Sequence, residues 1–124
     1  MEARVVAIRG AIQVAEDSCS AIGEATSRLF HSIRMANTLL EEEIISIMFS
    51  LTPDLTSMNP ATALREEYTA LQAPLFCTQE AVIKGMLPRT IRVIIHCYST
   101  REEVSHIYLN GAASLRRDLT NSYS

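Results

Sequence analysis

The chain has 124 residues and a net charge of −3, enough for one domain with one hydrophobic core. The slightly acidic balance provides no electrostatic basis for binding nucleic acid or an anionic membrane. Of 11 lysines and arginines only Lys84 is a lysine, and arginine suits the two-pronged capture of carboxylates, so the composition hints at an anionic small-molecule ligand.

The three cysteines, Cys19, Cys77 and Cys97, form an odd number without the spacing of a disulfide framework. They are typical of reduced thiols in a cytoplasmic protein. The start of the chain shows no secretory signal pattern, and no apolar run reaches the length that spans a membrane. The sequence therefore predicts a cytoplasmic location.

The first half of the chain predicts two strands on either side of a long helix. Residues 4–12 form the first strand, and Asp17 or Ser18 caps a helix that ends near Asn37. The helix carries one apolar stripe at helical spacing, formed by Ile22, Thr26, Leu29 and Ile33. After an acidic turn at 41–43, residues 44–52 alternate in the manner of a second strand.

The second half predicts two short helices and three strands. Asn59 caps a helix whose first residue is Pro60 and which runs to about Thr69. Strands are predicted at 73–78, 90–98 and 106–109. The capping-box pattern at 100–103 predicts a short helix before the last strand. Residues 111–119 are irregular with a turn of helix, and 120–124 form a flexible tail.

This order of elements predicts an α+β (mixed α/β) fold, a mixed sheet with helices packed on one side, within a single domain at 1–119. One long helix is too little to cover strands that are apolar on both faces. Self-association through the sheet would supply the missing layer, and a cyclic oligomer would do so symmetrically.

Arg92 is the most informative residue, because it lies in the middle of a strand that is apolar on both faces. A buried guanidinium cannot lose its proton and needs an anion. That anion is either a carboxylate of the chain, with Glu80 as the candidate, or one carried by a ligand. Arg9 raises the same question in the first strand, where a solvated strand end is the alternative.

Seven short runs resemble, in order and spacing, the monofunctional, trimeric, barrel-type chorismate mutases. The resemblance covers nearly the whole chain, and no single run is specific by itself. The runs are Ile8-Arg9-Gly10-Ala11, Thr52-Pro53-Asp54-Leu55, Pro60-Ala61 with Arg65-Glu66, Cys77-Thr78-Gln79-Glu80, Ile91-Arg92-Val93, His106-Ile107-Tyr108-Leu109 and Leu115-Arg116-Arg117-Asp118-Leu119.

The resemblance implies a homotrimer that forms a pseudo-α/β-barrel, with each active site between adjacent subunits. It implies the rearrangement of chorismate to prephenate in phenylalanine and tyrosine biosynthesis, a pericyclic Claisen step. That reaction needs no metal, no cofactor and no covalent nucleophile. Its catalytic task is to hold a flexible dicarboxylate in a compact shape and to stabilise charge as the ether bond breaks.

The resemblance also implies residue roles. Arg92 would donate to the ether oxygen and to a nearby carboxylate, Glu80 would accept from the ring hydroxyl, and Cys77 would donate beside it as a thiol. The remaining roles are substrate binding: Arg9 and Tyr108 at the side-chain carboxylate, Arg65 and Arg116 at the ring carboxylate, and Ala61 and Leu115 at the apolar wall.

Two pocket positions depart from the family pattern. Asn59 stands where an aromatic residue is common, and Thr62 where a lysine is common. Two other functions remain open at this point. Trimeric imine or enamine hydrolases of similar architecture also place an arginine in an inter-subunit cleft, and a non-catalytic trimer could bind an aromatic acid.

Overall fold

Five strands form one mixed sheet in the order β3-β2-β4-β1-β5, in a computed structural model that describes residues 2–115. The elements in chain order are β1 (Arg4–Gln13), α1 (Cys19–Asn37), β2 (Ile44–Leu51), α2 (Pro60–Glu67), β3 (Leu75–Gln79), β4 (Thr90–Ser99) and β5 (Ile107–Leu109), with 3₁₀ turns at Glu41–Glu43 and Asn110–Ser114. Arg116, the rest of the segment to Leu119 and the predicted tail at 120–124 lie outside the described residues.

Strand β4 lies at the centre of the sheet and is antiparallel to both of its neighbours, β1 and β2. Strand β3 extends the sheet parallel to β2, and β5 extends it parallel to β1. Strand β4 has apolar residues on both of its faces, as is typical of an interior strand. The predicted interior position and the predicted mixed sheet are both confirmed.

Helix α1 forms where its sequence signals place it. The Ser18 hydroxyl accepts from the Ala21 amide at 3.1 Å, and Thr38 ends the helix in the left-handed region at φ 49°. Its apolar stripe packs on the sheet beside Gly10. A side chain at Gly10 would come within 2.9 Å of Ile33 and of the Ile107 carbonyl, so glycine is required for the close approach of α1 and β5.

The sheet has one covered face and one open face. The residues facing the helices are buried, among them Ile8, Phe49 and Ile95. Four large apolar side chains on the opposite face are about half exposed or more: Val5 57%, Met48 48%, Phe76 61% and Tyr98 50%. The prediction of helices on one side is confirmed, and the open face keeps the apolar surface that the sequence indicated.

The predicted short helix at residues 100–103 is wrong, because tertiary contacts hold this segment as a bend. The Arg4 guanidinium donates to the carbonyls of Arg101 and Glu102, at 3.1 and 2.7 Å. Asn37 then holds Ser105 through both its amide nitrogen and its carbonyl oxygen. The seven residues between β4 and β5 are committed to these contacts and cannot close a helical turn.

Asp17 connects the start of α1 to the loop that precedes α2. Its carboxylate accepts from the Thr56 amide and hydroxyl and from the Ser57 amide, each at 3.0 Å. Desolvation by itself would raise the pKa of Asp17, but the hydrogen bonds from Ser57 and Thr56 together outweigh it, and the pKa is lowered from 3.8.

We expect Asp17→Asn to reduce stability at pH 7 and to matter less in acid. A carboxyl whose pKa is lowered by folding stabilises the protein above its unfolded pKa, and this contribution disappears as the pH falls through the folded pKa. The difference in thermal midpoint between parent and variant should therefore narrow as the pH is lowered from 7 to 3. An equal difference at both pH values would contradict this role for Asp17.

Candidate active site

The centre of the candidate site is an ion pair between Arg92 on β4 and Glu80, just after β3. Arg92 Nε lies 3.1 Å from Glu80 Oε2, and the two side chains are 43% and 19% exposed. Nε itself is buried and makes no hydrogen bond of good geometry. The internal pair anticipated from the sequence is thus present, but within residues 2–115 the side chain of Arg92 donates no hydrogen bond, which leaves its donors available for a ligand.

Arg9 approaches the same region from β1. Ala11 is opposite Arg92 in the strand register, so Arg9, two residues from Ala11, lies on the same open face of the sheet. Arg9 and Arg92 line a hollow of about 210 Å³ with Ser50 and Thr78 among the other lining residues. Two arginines lining one small hollow favour an anion with more than one negative group.

Two further residues predicted to bind the substrate lie on or shortly after β5, the strand next to β1. Tyr108 on β5 is opposite Ala11 in the register and therefore also belongs to the open face. Leu115 is half-buried at the end of the last 3₁₀ turn, where its amide donates to the Ala112 carbonyl at 3.0 Å. The predicted residue Arg116 lies beyond the described part of the chain.

A second groove runs between α2 and the edge strand β3, with a volume of about 440 Å³. The Asn59 side chain accepts from the Ala61 amide at 2.8 Å, so its oxygen is committed to capping α2, as predicted. Arg65 donates to the Ala73 carbonyl at 3.3 Å. The groove brings together five of the predicted site residues: Asn59, Ala61, Thr62, Arg65 and Cys77.

The two groups of residues do not meet within one chain. Cys77 pairs with Phe49, which is buried on the helix-covered face, so Cys77 points to that side. Thr78 is on the open face and Glu80 follows it there by alternation, where it contacts Arg92. Cys77 and Glu80, which the resemblance places beside the same hydroxyl, therefore lie on opposite sides of the sheet in a single protomer.

Cys77 is a partly buried free thiol on β3. Burial raises the pKa of the Cys77 thiol above its ordinary value of 9.0, so the group stays protonated at neutral pH. A protonated thiol is a weak nucleophile and a weak hydrogen-bond donor. The resemblance implies a thiol donor at this position, and that role stays a prediction.

We expect Cys77 to react slowly with iodoacetamide at pH 7, because alkylation requires the thiolate. The exposed Cys19 serves as the internal control. Peptide mass spectrometry of a time course should show Cys19 modified well before Cys77. Modification of Cys77 at the same rate as Cys19 or faster would be incompatible with a protonated, half-buried thiol.

Sequence reasoning missed Ser50 on β2. Its hydroxyl donates to Glu80 Oε2 at 2.7 Å, the same oxygen that contacts Arg92. The one available signal was a polar residue inside an apolar strand. The strand register puts Ser50 opposite both Arg92 and Thr78, and only this register shows that the serine lies beside the candidate site.

The described part of the chain offers neither a cluster of metal ligands nor a membrane-spanning helix. Among residues 2–115, no group of three histidine, cysteine or acidic side chains is arranged to hold a metal ion. None of the helices that the structure describes is long and apolar enough to cross a membrane.

Comparison with known proteins identifies the family of this chain. The family model for chorismate mutase type I matches residues 5–119. The chain belongs to the chorismate mutase type I family. A chorismate mutase AroH of Thermus thermophilus is 39% identical over 118 residues, covering 93% of this chain and 96% of that protein. The chorismate mutase AroH of Bacillus subtilis (strain 168) is 33% identical over 115 residues, covering 91% of each.

A solved structure extends this comparison to the fold. The chorismate mutase from Clostridium thermocellum superposes with a TM-score of 0.83 at 34% identity, covering 88% of this chain and 98% of that one. The predicted family is confirmed, and so is the prediction that this chain is a chorismate mutase, an isomerase of aromatic amino acid biosynthesis. The comparisons favour this function over the hydrolase and the non-catalytic binding protein.

Proposed function

We propose that this chorismate mutase rearranges chorismate to prephenate by a non-covalent pericyclic mechanism, in clefts that two neighbouring protomers share. The observation that supports the mechanism is the pair of arginines, Arg9 and Arg92, which line one hollow on the open face of the sheet. Within the described residues Arg92 is paired only with Glu80, and the Arg9 side chain has no carboxylate beside it. A substrate with two carboxylates supplies the missing negative charge.

Arg92 has the leading catalytic role in this proposal. Its donors point to the place where the ether oxygen gains negative charge, and they also hold a nearby carboxylate. Glu80 accepts from the ring hydroxyl through Oε1, the oxygen that makes no hydrogen bond within residues 2–115. Cys77 of a neighbouring protomer donates to the same hydroxyl. The enzyme supplies position and electrostatics, and the bonds of the substrate rearrange by themselves.

The remaining predicted residues are proposed to bind and enclose the substrate. Tyr108 joins Arg9 at the side-chain carboxylate. Thr62 and Asn59 contribute an uncharged edge of the α2 groove, since Asn59 is engaged as the helix cap. The ring carboxylate and the apolar wall are assigned to the residues at the cleft mouth: Arg65, Arg116, Ala61 and Leu115.

The shared cleft requires more than one protomer, and the assembly we propose is a homotrimer. Its support is the separation of the two groups of site residues within one chain, together with the exposed apolar side chains on the open face of the sheet. Burying that face between protomers removes apolar surface from water and brings the α2 groove of one chain to the arginine hollow of the next. Closure around a threefold axis gives the pseudo-α/β-barrel.

The direct test is incubation of the purified protein with chorismate. We expect the chorismate absorbance to fall and prephenate to accumulate, without added metal or cofactor, from a species of trimer mass. Binding of chorismate without any product would favour the non-catalytic alternative. Hydrolysis of an imine with no prephenate formed from chorismate would favour the hydrolase.

We expect Val5→Glu to disrupt the trimer. Val5 is 57% exposed on the open face, and a charge there would have to be buried unpaired at the interface. Met35→Glu is the matched control, because Met35 is 60% exposed on helix α1, away from that face. Sedimentation should show a smaller species for Val5→Glu alone. Equal masses for both variants would indicate that the open face is not the interface.

We also propose a cytoplasmic location and a single domain over residues 1–119. The three described cysteines are free thiols, which suits a reducing compartment. One sheet and one core, with α1 and α2 on the same face, account for the described part of that domain.

A further inference from the structure

Ser50 contacts the catalytic ion pair without having been assigned any role. Its Oγ lies 2.7 Å from Glu80 Oε2, the distance of a strong hydrogen bond to a charged acceptor. Arg92 Nε is 3.1 Å from the same oxygen but without hydrogen-bond geometry. Of these two contacts to Oε2, the one from the Ser50 hydroxyl is therefore the directional hydrogen bond.

The position of Ser50 is set by rigid elements on both sides. In the register it lies opposite Arg92 on β4 and opposite Thr78 on β3. The Glu80 amide donates to the carbonyl of Leu51, the residue after Ser50, at 2.8 Å. The backbone of Glu80 and the hydroxyl of Ser50 are thus held next to each other by strand β2, which leaves the carboxylate little freedom to rotate.

We infer that Ser50 is a positioning residue, whose hydroxyl holds Oε2 of Glu80 so that Oε1 is presented to the substrate hydroxyl. This inference rests on the role proposed above for Glu80. A carboxylate that already has one oxygen engaged loses less freedom when the other oxygen accepts a hydrogen bond, so the bound geometry is prepared before the substrate arrives. Ser50 is also one of the residues that line the hollow with Arg9 and Arg92, so it lies beside the residues proposed to bind the substrate.

Three variants test the role. Ser50→Ala should lower kcat/KM roughly tenfold, with most of the loss in kcat. The loss is smaller than the full contribution of a charge-assisted hydrogen bond, because only part of that contribution acts in catalysis. Ser50→Thr keeps the hydroxyl and suits a strand, so it should retain activity within about threefold of the parent. Ser46→Ala removes a hydroxyl elsewhere on β2 and should behave as the parent.

A double-mutant cycle with Glu80 then separates positioning from a general structural effect. Ser50→Ala should cost less than about twofold on a Glu80→Ala background, because the group it orients is gone. The residual rates are measured by product chromatography against the uncatalysed rearrangement. Equal losses on both backgrounds would overturn the inference, as would a Ser50→Thr variant no better than Ser50→Ala.

The failure of this inference is distinguishable from failure of the proposed function. A parent enzyme that makes prephenate and loses activity in Glu80→Ala, yet tolerates Ser50→Ala, refutes only the role of Ser50. A Glu80→Ala variant with parental activity refutes the role of Glu80 and that of Ser50 with it. Thermal unfolding and sedimentation of each variant show that any loss is not one of folding or assembly.

Discussion

Replacing Arg92 by alanine is expected to lower kcat/KM by roughly 10³-fold or more while the protein keeps its fold and its assembly. Loss of a single preorganised donor at a developing oxyanion typically costs about 10²- to 10³-fold, and a charged donor that also holds a carboxylate contributes more. Stability should change little, because the side chain of Arg92 is 43% exposed and Glu80 Oε2 keeps its hydrogen bond from Ser50.

Arg92→Lys should recover little of this loss. A lysine ammonium is a point charge, and it cannot reach the ether oxygen and a carboxylate together as a planar guanidinium does. Arg101→Ala is the matched control, since Arg101 is exposed in the loop after β4 and its guanidinium donates to the Ala36 carbonyl, away from the open face. The measurement is steady-state conversion of chorismate, with sedimentation of each variant. Parental kcat/KM in Arg92→Ala would refute the assignment.

The second large effect is expected from mixed trimers. Arg92→Ala damages the hollow on the open face, whereas Arg65→Asp reverses a charge in the α2 groove, and each variant alone should be nearly inactive. If one cleft takes its two halves from neighbouring protomers, equal co-assembly leaves both halves intact at about a quarter of the clefts. Co-expressed and purified mixtures should therefore regain about a quarter of parental activity.

The matched control for this experiment mixes Arg92→Ala with Glu80→Ala. Both lesions lie in the same half of the cleft, so no arrangement of protomers restores an intact site. This mixture should stay as inactive as its components. If the Arg92→Ala and Arg65→Asp mixture also showed only the average of its components, the site would lie within one chain, and the shared cleft would have to be abandoned.

Much of the fold was predictable because local signals and tertiary contacts agree. Ser18 caps α1 and Asn59 with Pro60 starts α2, both as their residue types require. The prediction of a helix at residues 100–103 is wrong because local signals and tertiary contacts disagree there. There the carbonyls of Arg101 and Glu102 accept from Arg4, which is close in space and far away in sequence.

The candidate site was likewise only partly predictable from the sequence. The need of Arg92 for an anion could be inferred from its residue type and the apolar pattern of its strand, with Glu80 as one candidate partner, and the structure shows that pair. The role of Ser50 could not, since a serine in an apolar strand has no meaning until its neighbours are known. The separation of Cys77 from Glu80 was equally inaccessible, because it depends on which face of β3 meets the helices.

The sequence by itself determined the five strands, helices α1 and α2, the interior position of β4 and the charge chemistry of Arg92, because periodicity, capping and desolvation depend on residues close together in the chain. Only the tertiary structure decided which side chains share a hollow. The register between strands is a long-range choice, and a slip of one residue would exchange the open face for the covered one and remove Ser50 from Glu80.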